Sequence, residues 1–147
     1  MCKEKISPET VLAMFGQGFD CSQIVLSSVC DQVGISRKDA LKATAAFGGG
    51  IWHGDTCGCV IGALMAIGLK YGTSVPNDAE KKSDMLRKKA EFEAKFCAAH
   101  GSCLCREILG YNLAVPAEMT QIQEKKLLET LCPKVVCKTC EILEEML

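Results

Sequence analysis

Apolar residues in this chain recur at three- and four-residue spacing, and no segment alternates apolar with polar residues as a strand would. Ser7-Pro8-Glu9 supplies a cap followed by proline at the first helical position, opening a helix over 8–16 that Gly16 and Gly18 end. Asp20 opens a second helix, 21–33, closed by Gly34, with Ile24, Val25, Val29 and Val33 on one stripe. Ser36 starts a third, about 37–46, with Asp39 in its first turn where the macrodipole favours an acid. It stops at Gly48-Gly49-Gly50. Residues 56–71 are apolar on all sides, which predicts a helix buried at the centre of a bundle. Within it Gly58, Gly62 and Ala66 recur every four residues and make a flat strip that another helix can approach closely.

Beyond a polar loop, residues 78–98 read as a charged amphipathic helix with Met85, Phe92, Phe96 and Ala99 facing inward. Asp84–Lys88 and Glu91–Lys95 are its favourable i,i+4 pairs. A short helix is expected over 103–109, capped by Ser102 and ended by Gly110, then two more near 117–130 and at 133–146. The fold expected is all-α: a compact single-domain multi-helix bundle around a buried, apolar, glycine-rich central helix, with residues 1–6 disordered.

A length of 147 residues fits one domain, and such a domain buries roughly 68–70% of its unfolded surface. Neither a disulfide nor a metal is needed merely to hold a core. Seventeen basic and eighteen acidic residues nearly cancel, and no basic stripe stands out. That argues against nucleic acid and anionic membrane as partners, and makes Arg87-Lys88-Lys89 a solvated face. Met1 to Thr10 is polar and charged, unlike a secretory leader. The longest uncharged apolar run, Cys57 to Leu69, has 13 residues, short of the ~20 a membrane span needs. The expected compartment is the cytoplasm.

Eleven cysteines change this picture. Their share lies just under the ~8–10% of a secreted disulfide scaffold, and an odd number cannot pair completely within one chain. In a reducing compartment they stay thiols unless they carry redox chemistry or hold metal. Four of them fall at helix starts: Cys21 after Asp20, Cys57 after Asp55-Thr56, Cys105 in the turn after Ser102, and Cys132 at a cap position before Pro133. A helix N-terminus offers unsatisfied N–H groups and about half a positive charge. Both favour the thiolate, which is the nucleophile and the metal ligand. If the four starts converge, four thiolates meet at one site.

The other cysteines carry weaker signals. Cys30 lies about 180° around the helix from Cys21 and reads as packing. Cys97 reads as core or rim, and Cys2 lies in the terminal segment. Cys57 and Cys59 stand about 200° apart if both are helical, and share a face only if the first residues stay extended. Cys103-Leu104-Cys105 poses the same question. Cys132, Cys137 and Cys140 have the C-x₄-C-x₂-C spacing of plant-type ferredoxins. There the pattern occupies a loop, whereas the apolar residues here predict helix. His53 and His100, the only histidines, each lie close to a cysteine cluster and read as solvent-facing.

Five ordered segments resemble the C_GCAxxG_C_C family of redox-active proteins. They are Gly18-Phe19-Asp20-Cys21-Ser22-Gln23, Phe47-Gly48-Gly49-Gly50, Cys57-Gly58-Cys59-Val60-Ile61-Gly62, Cys105-Arg106-Glu107-Ile108-Leu109-Gly110 and Cys132-Pro133. The resemblance spans roughly Phe15 to Leu143. It implies four characteristic cysteines at Cys21, Cys57, Cys105 and Cys132, the same four that the helix starts select. A related segment in the split-Soret type of multihaem cytochrome, associated with an iron–sulfur centre, extends the implication to a cluster. The chain departs from the family at Cys59, where alanine is usual, and Cys103, Cys137 and Cys140 are additional; a local Cys103–Cys105 disulfide stays open.

Three functions follow as expectations. The first is electron transfer or redox sensing, with Cys21, Cys57, Cys105 and Cys132 ligating an iron–sulfur cluster or other metal, and Cys59 as an additional ligand. A redox partner protein would then be the macromolecular partner. The second is metal-free thiol–disulfide exchange, with Cys57 attacking and Cys21 or Cys105 resolving. The third is a non-redox binding or assembly module with structural zinc or no metal, in which the Gly58/Gly62/Ala66 strip can pack against a second subunit, forming a homodimer, as readily as within one chain.

Overall fold

The computed structural model describes residues 5–147, and the described residues form ten helices and no strands. Helix α1 spans Pro8–Gly16, α2 Cys21–Ser28, α3 Cys30–Val33, α4 Arg37–Ala43 and α5 Gly58–Tyr71. Then come α6 Ala79–His100, α7 Cys105–Leu109, α8 Pro116–Glu124, α9 Leu127–Thr130 and α10 Cys132–Met146. The all-α expectation holds. Of the segment expected to be disordered, Cys2 and its neighbours lie outside the described residues, while Ile6 packs against the core.

Capping residues set several boundaries. Thr10 N–H donates to Ser7 Oγ at 3.2 Å, and Asp39 N–H donates to Ser36 Oγ at 3.0 Å, each satisfying a donor that the first helical turn leaves open. The expected 21–33 helix is instead two, because Ser27 and Ser28 donate back to the carbonyls of Ile24 and Val25 at 3.2 and 2.7 Å. Such back-bonding bends a helix, and Val29 follows at φ −117°, ψ 12°. The expected 117–130 helix also divides, at Lys126, whose φ is +53°; the sequence carries no signal for that break.

Central helix α5 packs mainly against α2 and also touches α3, α6 and α10. Its small-residue strip faces α2. A side chain at Gly62 would stand 2.7 Å from the Ser22 carbonyl and 3.2 Å from Val25, and one at Gly58 would strike the Cys21 sulfur. The close approach that the strip permits is therefore spent within the chain. Two buried polar side chains bind α2 to α4, Ser22 Oγ donating to Thr44 O at 2.9 Å and Gln23 Nε2 to Leu41 O at 2.9 Å, while Thr44 Oγ1 donates back to Ala40 O at 2.7 Å within the end of α4. Each buried donor is satisfied, as burial requires.

On α6, Phe92 and Phe96 are fully buried and Met85 is half-buried, but Ala99 is exposed rather than inward. Glu91 pairs with Lys95 at 3.3 Å as expected, whereas Asp84 pairs with Arg87. Lys88 lies over the Tyr71 ring instead, 5.2 Å from its centre. The apolar side chains fall into two groups. The larger joins α1–α6 and α10; the smaller gathers Cys105, Leu109 and Ile122 from α7 and α8, and Leu131 packs against both. The candidate site lies at their junction.

Candidate functional site

Five cysteines line one cavity of about 510 Å³. Cys21 is the first residue of α2, Cys105 the first of α7 and Cys132 the first of α10, while Cys57 caps α5 and Cys59 sits in its opening turn. All four helix-start cysteines therefore converge, with Cys59 beside them. Cys132 occupies the first helical position rather than the cap, which falls on Leu131. Cys57 is extended, at φ −52°, ψ 135°. That is the condition under which residues two apart share a face, and Cys57 and Cys59 both turn to the Cys21 sulfur.

The segments that carry these thiols are tied together through their backbones. Cys57 N–H donates to Cys103 O at 2.8 Å and Cys105 N–H to Asp55 O at 2.7 Å, with a bridge between Thr56 and Leu104. Ser102, the expected cap of α7, instead accepts from Leu104 N–H at 3.0 Å. Arg106 adds a bond to Asp55 at 3.1 Å.

The glycine run 48–50 does more than stop a helix. Gly49, Gly50, Ile51 and Trp52 all have positive φ, between 56° and 62°, forming a left-handed turn that Asp55 N–H closes onto Gly50 O at 2.9 Å. Left-handed backbone costs roughly 1–2 kcal/mol per non-glycine residue, and strain of this kind clusters at functional sites. Only glycine fits at 50, where a Cβ would lie 2.6 Å from the Asp55 backbone and 2.7 Å from Cys105 Cβ. The turn brings Gly49 N–H to the Cys21 sulfur and places half-exposed Trp52 at the cavity wall. Nothing in the apolar pattern signals a left-handed Ile-Trp step.

The five thiols are not equivalent. Cys21 is held well below the ordinary thiol range, because the Cys57 and Cys59 thiols and the N–H groups of Gly49 and Ser22 all stabilise its thiolate. Cys57 and Cys59 are pushed up because each keeps its proton to hydrogen-bond the Cys21 sulfur, and by burial. Burial and the Cys21 charge raise Cys105 to about 11 and Cys132 to about 12. Stabilisation of four thiolates by four helix starts was the expectation. Only Cys21 gains it, since an apolar wall penalises every further negative charge. Asp20, itself raised by burial, and Glu129 are the charged residues lining the cavity, and no Lys, Arg or His joins them among the described residues.

The family model described as "Putative redox-active protein (C_GCAxxG_C_C)" matches residues 19–146. The chain belongs to this family. No curated protein and no solved structure matches it. Redox activity is the coarse function that the family's description suggests for its members.

The other thiols among the described residues stand apart from the cavity. Cys30 is buried in the core, as expected. Cys137 and Cys140 lie on α10, in helix rather than in a ferredoxin-type loop, and Cys140 Sγ is 3.3 Å from Ser28 Oγ. Cys103 does not join Cys105; its Sγ lies 2.9 Å from Cys97 Sγ. His53 is exposed, but His100 is not the solvent-facing residue expected. Its ring packs on Phe96 at 4.6 Å, and its buried Nε2 has no hydrogen-bond partner among the described residues.

No helix among the described residues is long and apolar enough to cross a membrane.

Proposed function

We propose that the cavity holds a thiolate-ligated metal centre, an iron–sulfur cluster, for electron transfer or redox sensing, with Cys21, Cys57, Cys105 and Cys132 as ligands and Cys59 as an additional one. The observation that carries the reading is the concentration of five sulfurs in a cavity with acidic and apolar walls and no basic side chain. One thiolate is stabilised there by local hydrogen bonding; four are not, unless a cationic guest balances them. Thiolate donors suit iron–sulfur clusters and zinc. Among the described residues no three candidate ligands are drawn up around a point for a single ion. Such a centre supplies one-electron chemistry, and the chain contributes ligands, an apolar wall and the N–H groups of Gly49 and Ser22 near sulfur.

Anaerobic purification followed by reconstitution with iron and sulfide tests this. A brown protein containing iron and sulfide in which Cys→Ser at 21, 57, 105 or 132 lowers the iron content is expected. A colourless, iron-free protein after reconstitution overturns it.

A second reading is favoured by the Cys21 environment itself. A depressed thiol beside two protonated thiols is the arrangement for metal-free exchange, with Cys21 attacking and Cys57 or Cys59 resolving. This reverses the assignment of Cys57 as the attacking thiol. Mild oxidation followed by peptide mapping would then find Cys21 joined to Cys57 or Cys59, and scattered pairing would count against it.

A further inference from the structure

A second group of thiols lies outside the cavity. Cys97 is in the last turn of α6, and Gly101, at φ +80°, reverses the chain with its N–H donating to Cys97 O at 2.7 Å. A side chain at Gly101 would meet nothing within 4 Å, so glycine is placed there for its backbone alone. The reversal returns the chain so that Cys103 Sγ stands 2.9 Å from Cys97 Sγ. Both thiols are partly exposed, and neither lines the cavity. Closing this separation to a disulfide, at about 2.05 Å between sulfurs, requires a movement of less than about 1 Å.

We propose that Cys97 and Cys103 form a reversible dithiol–disulfide pair, separate from the cavity thiols, whose oxidation clasps the end of α6 to the segment that leads into Cys105. The co-reactant is a low-molecular-weight disulfide. One thiolate of the pair attacks it, giving a mixed disulfide and releasing one thiol. The second cysteine, after losing its proton, displaces the other half as a second thiol. Two protein thiols and one disulfide thus become one protein disulfide and two small thiols, with two electrons passed to the co-reactant. The clasp would reach the cavity through backbone, since Cys103 O accepts from Cys57 N–H at 2.8 Å and Leu104 bridges to Thr56. Fixing Cys103 therefore fixes the acceptor of the hydrogen bond that holds the cap of α5.

Trypsin releases Phe96 to Arg106 as one peptide holding Cys97, Cys103 and Cys105. The full-length protein is equilibrated with mixtures of oxidised and reduced glutathione, free thiols are alkylated, and the peptide is fragmented. The expected product is linked 97 to 103 with Cys105 alkylated, two hydrogens lighter than the same peptide alkylated at Cys105 alone. It returns to three alkylated thiols when reduced glutathione is in excess. Cys97→Ser abolishes the link, and Cys105→Ser leaves it intact even where cavity metal is lost, which separates this proposal from the cluster reading. Three alkylated cysteines under oxidising mixtures, or a 103–105 link, overturns it. Oxidation should also slow hydrogen exchange of the Cys57 amide by about tenfold; unchanged exchange overturns the clasping of the cavity segment.

Discussion

The cavity and the Cys97–Cys103 pair show two ways in which one chain positions sulfur. In the cavity, thiols arrive from four helix starts far apart in sequence, and backbone fit holds them in place: the Gly58/Gly62 strip, the left-handed turn, and the bonds from Cys57 and Cys105 N–H. At the pair, one helix end and one glycine reversal do the whole task within seven residues, 97 to 103. The long-range site depends on close packing and is intolerant of added volume. The local one depends only on a backbone angle.

The largest effect that separates them comes from glycine replacement. Gly58→Ala drives a methyl group into the Cys21 sulfur and to 2.9 Å from Phe47 O. Overpacking of this kind costs about 1–3 kcal/mol, and the shift displaces Cys21 as well. Urea unfolding together with thiol labelling would read both losses; an unchanged midpoint and unchanged labelling would show that α2 and α5 are less closely fitted than described.

Next in size is the contrast in reactivity. Because the thiolate of Cys21 is favoured, it persists as pH falls below the ordinary thiol range, whereas Cys105 and Cys132, at about 11 and 12, stay protonated at neutral pH. In metal-free protein at pH 7, iodoacetamide should modify Cys21 more than about tenfold faster than either. Mass spectrometry over a time course decides it, and first labelling at Cys57 would reverse the polarity assigned to the site.

A smaller change is expected at the local pair. Gly101→Ala meets no neighbour and costs the strain of a left-handed alanine, roughly 1–2 kcal/mol, with Cys21 labelling left intact. A matching loss of Cys21 reactivity would join the two regions more tightly than their packing indicates.

The smallest effect concerns acid. His100 lies between Cys97 and Cys103 in the chain, and burial, with the charge of Lys138, lowers its pKa from the usual 6.5. The folded protein thus prefers neutral His100. Its contribution to stability is complete above pH 6.5 and fades as pH falls toward the lowered value. Unfolding midpoints measured from pH 7.5 down to 5 should fall less for His100→Gln than for the parent protein; parallel curves would remove His100 from the acid response.

Much of this protein was determined by sequence alone. Period-3.6 apolar stripes and capping residues set the helices, since those signals act within a turn or two, and Ser7, Asp20 and Ser36 stand where helices begin. The helix-start rule also selected Cys21, Cys57, Cys105 and Cys132 from eleven cysteines. What only tertiary structure decided is how those sulfurs differ and which others pair. The thiolate settles on Cys21 because the Gly49 turn and the Cys57 and Cys59 thiols reach it from other segments, and burial there acts against every other cavity thiol. Cys103 meets Cys97 rather than Cys105 because Gly101 turns the chain back onto α6. Charge and reach are properties of neighbours in space, and a linear pattern carries only neighbours along the chain.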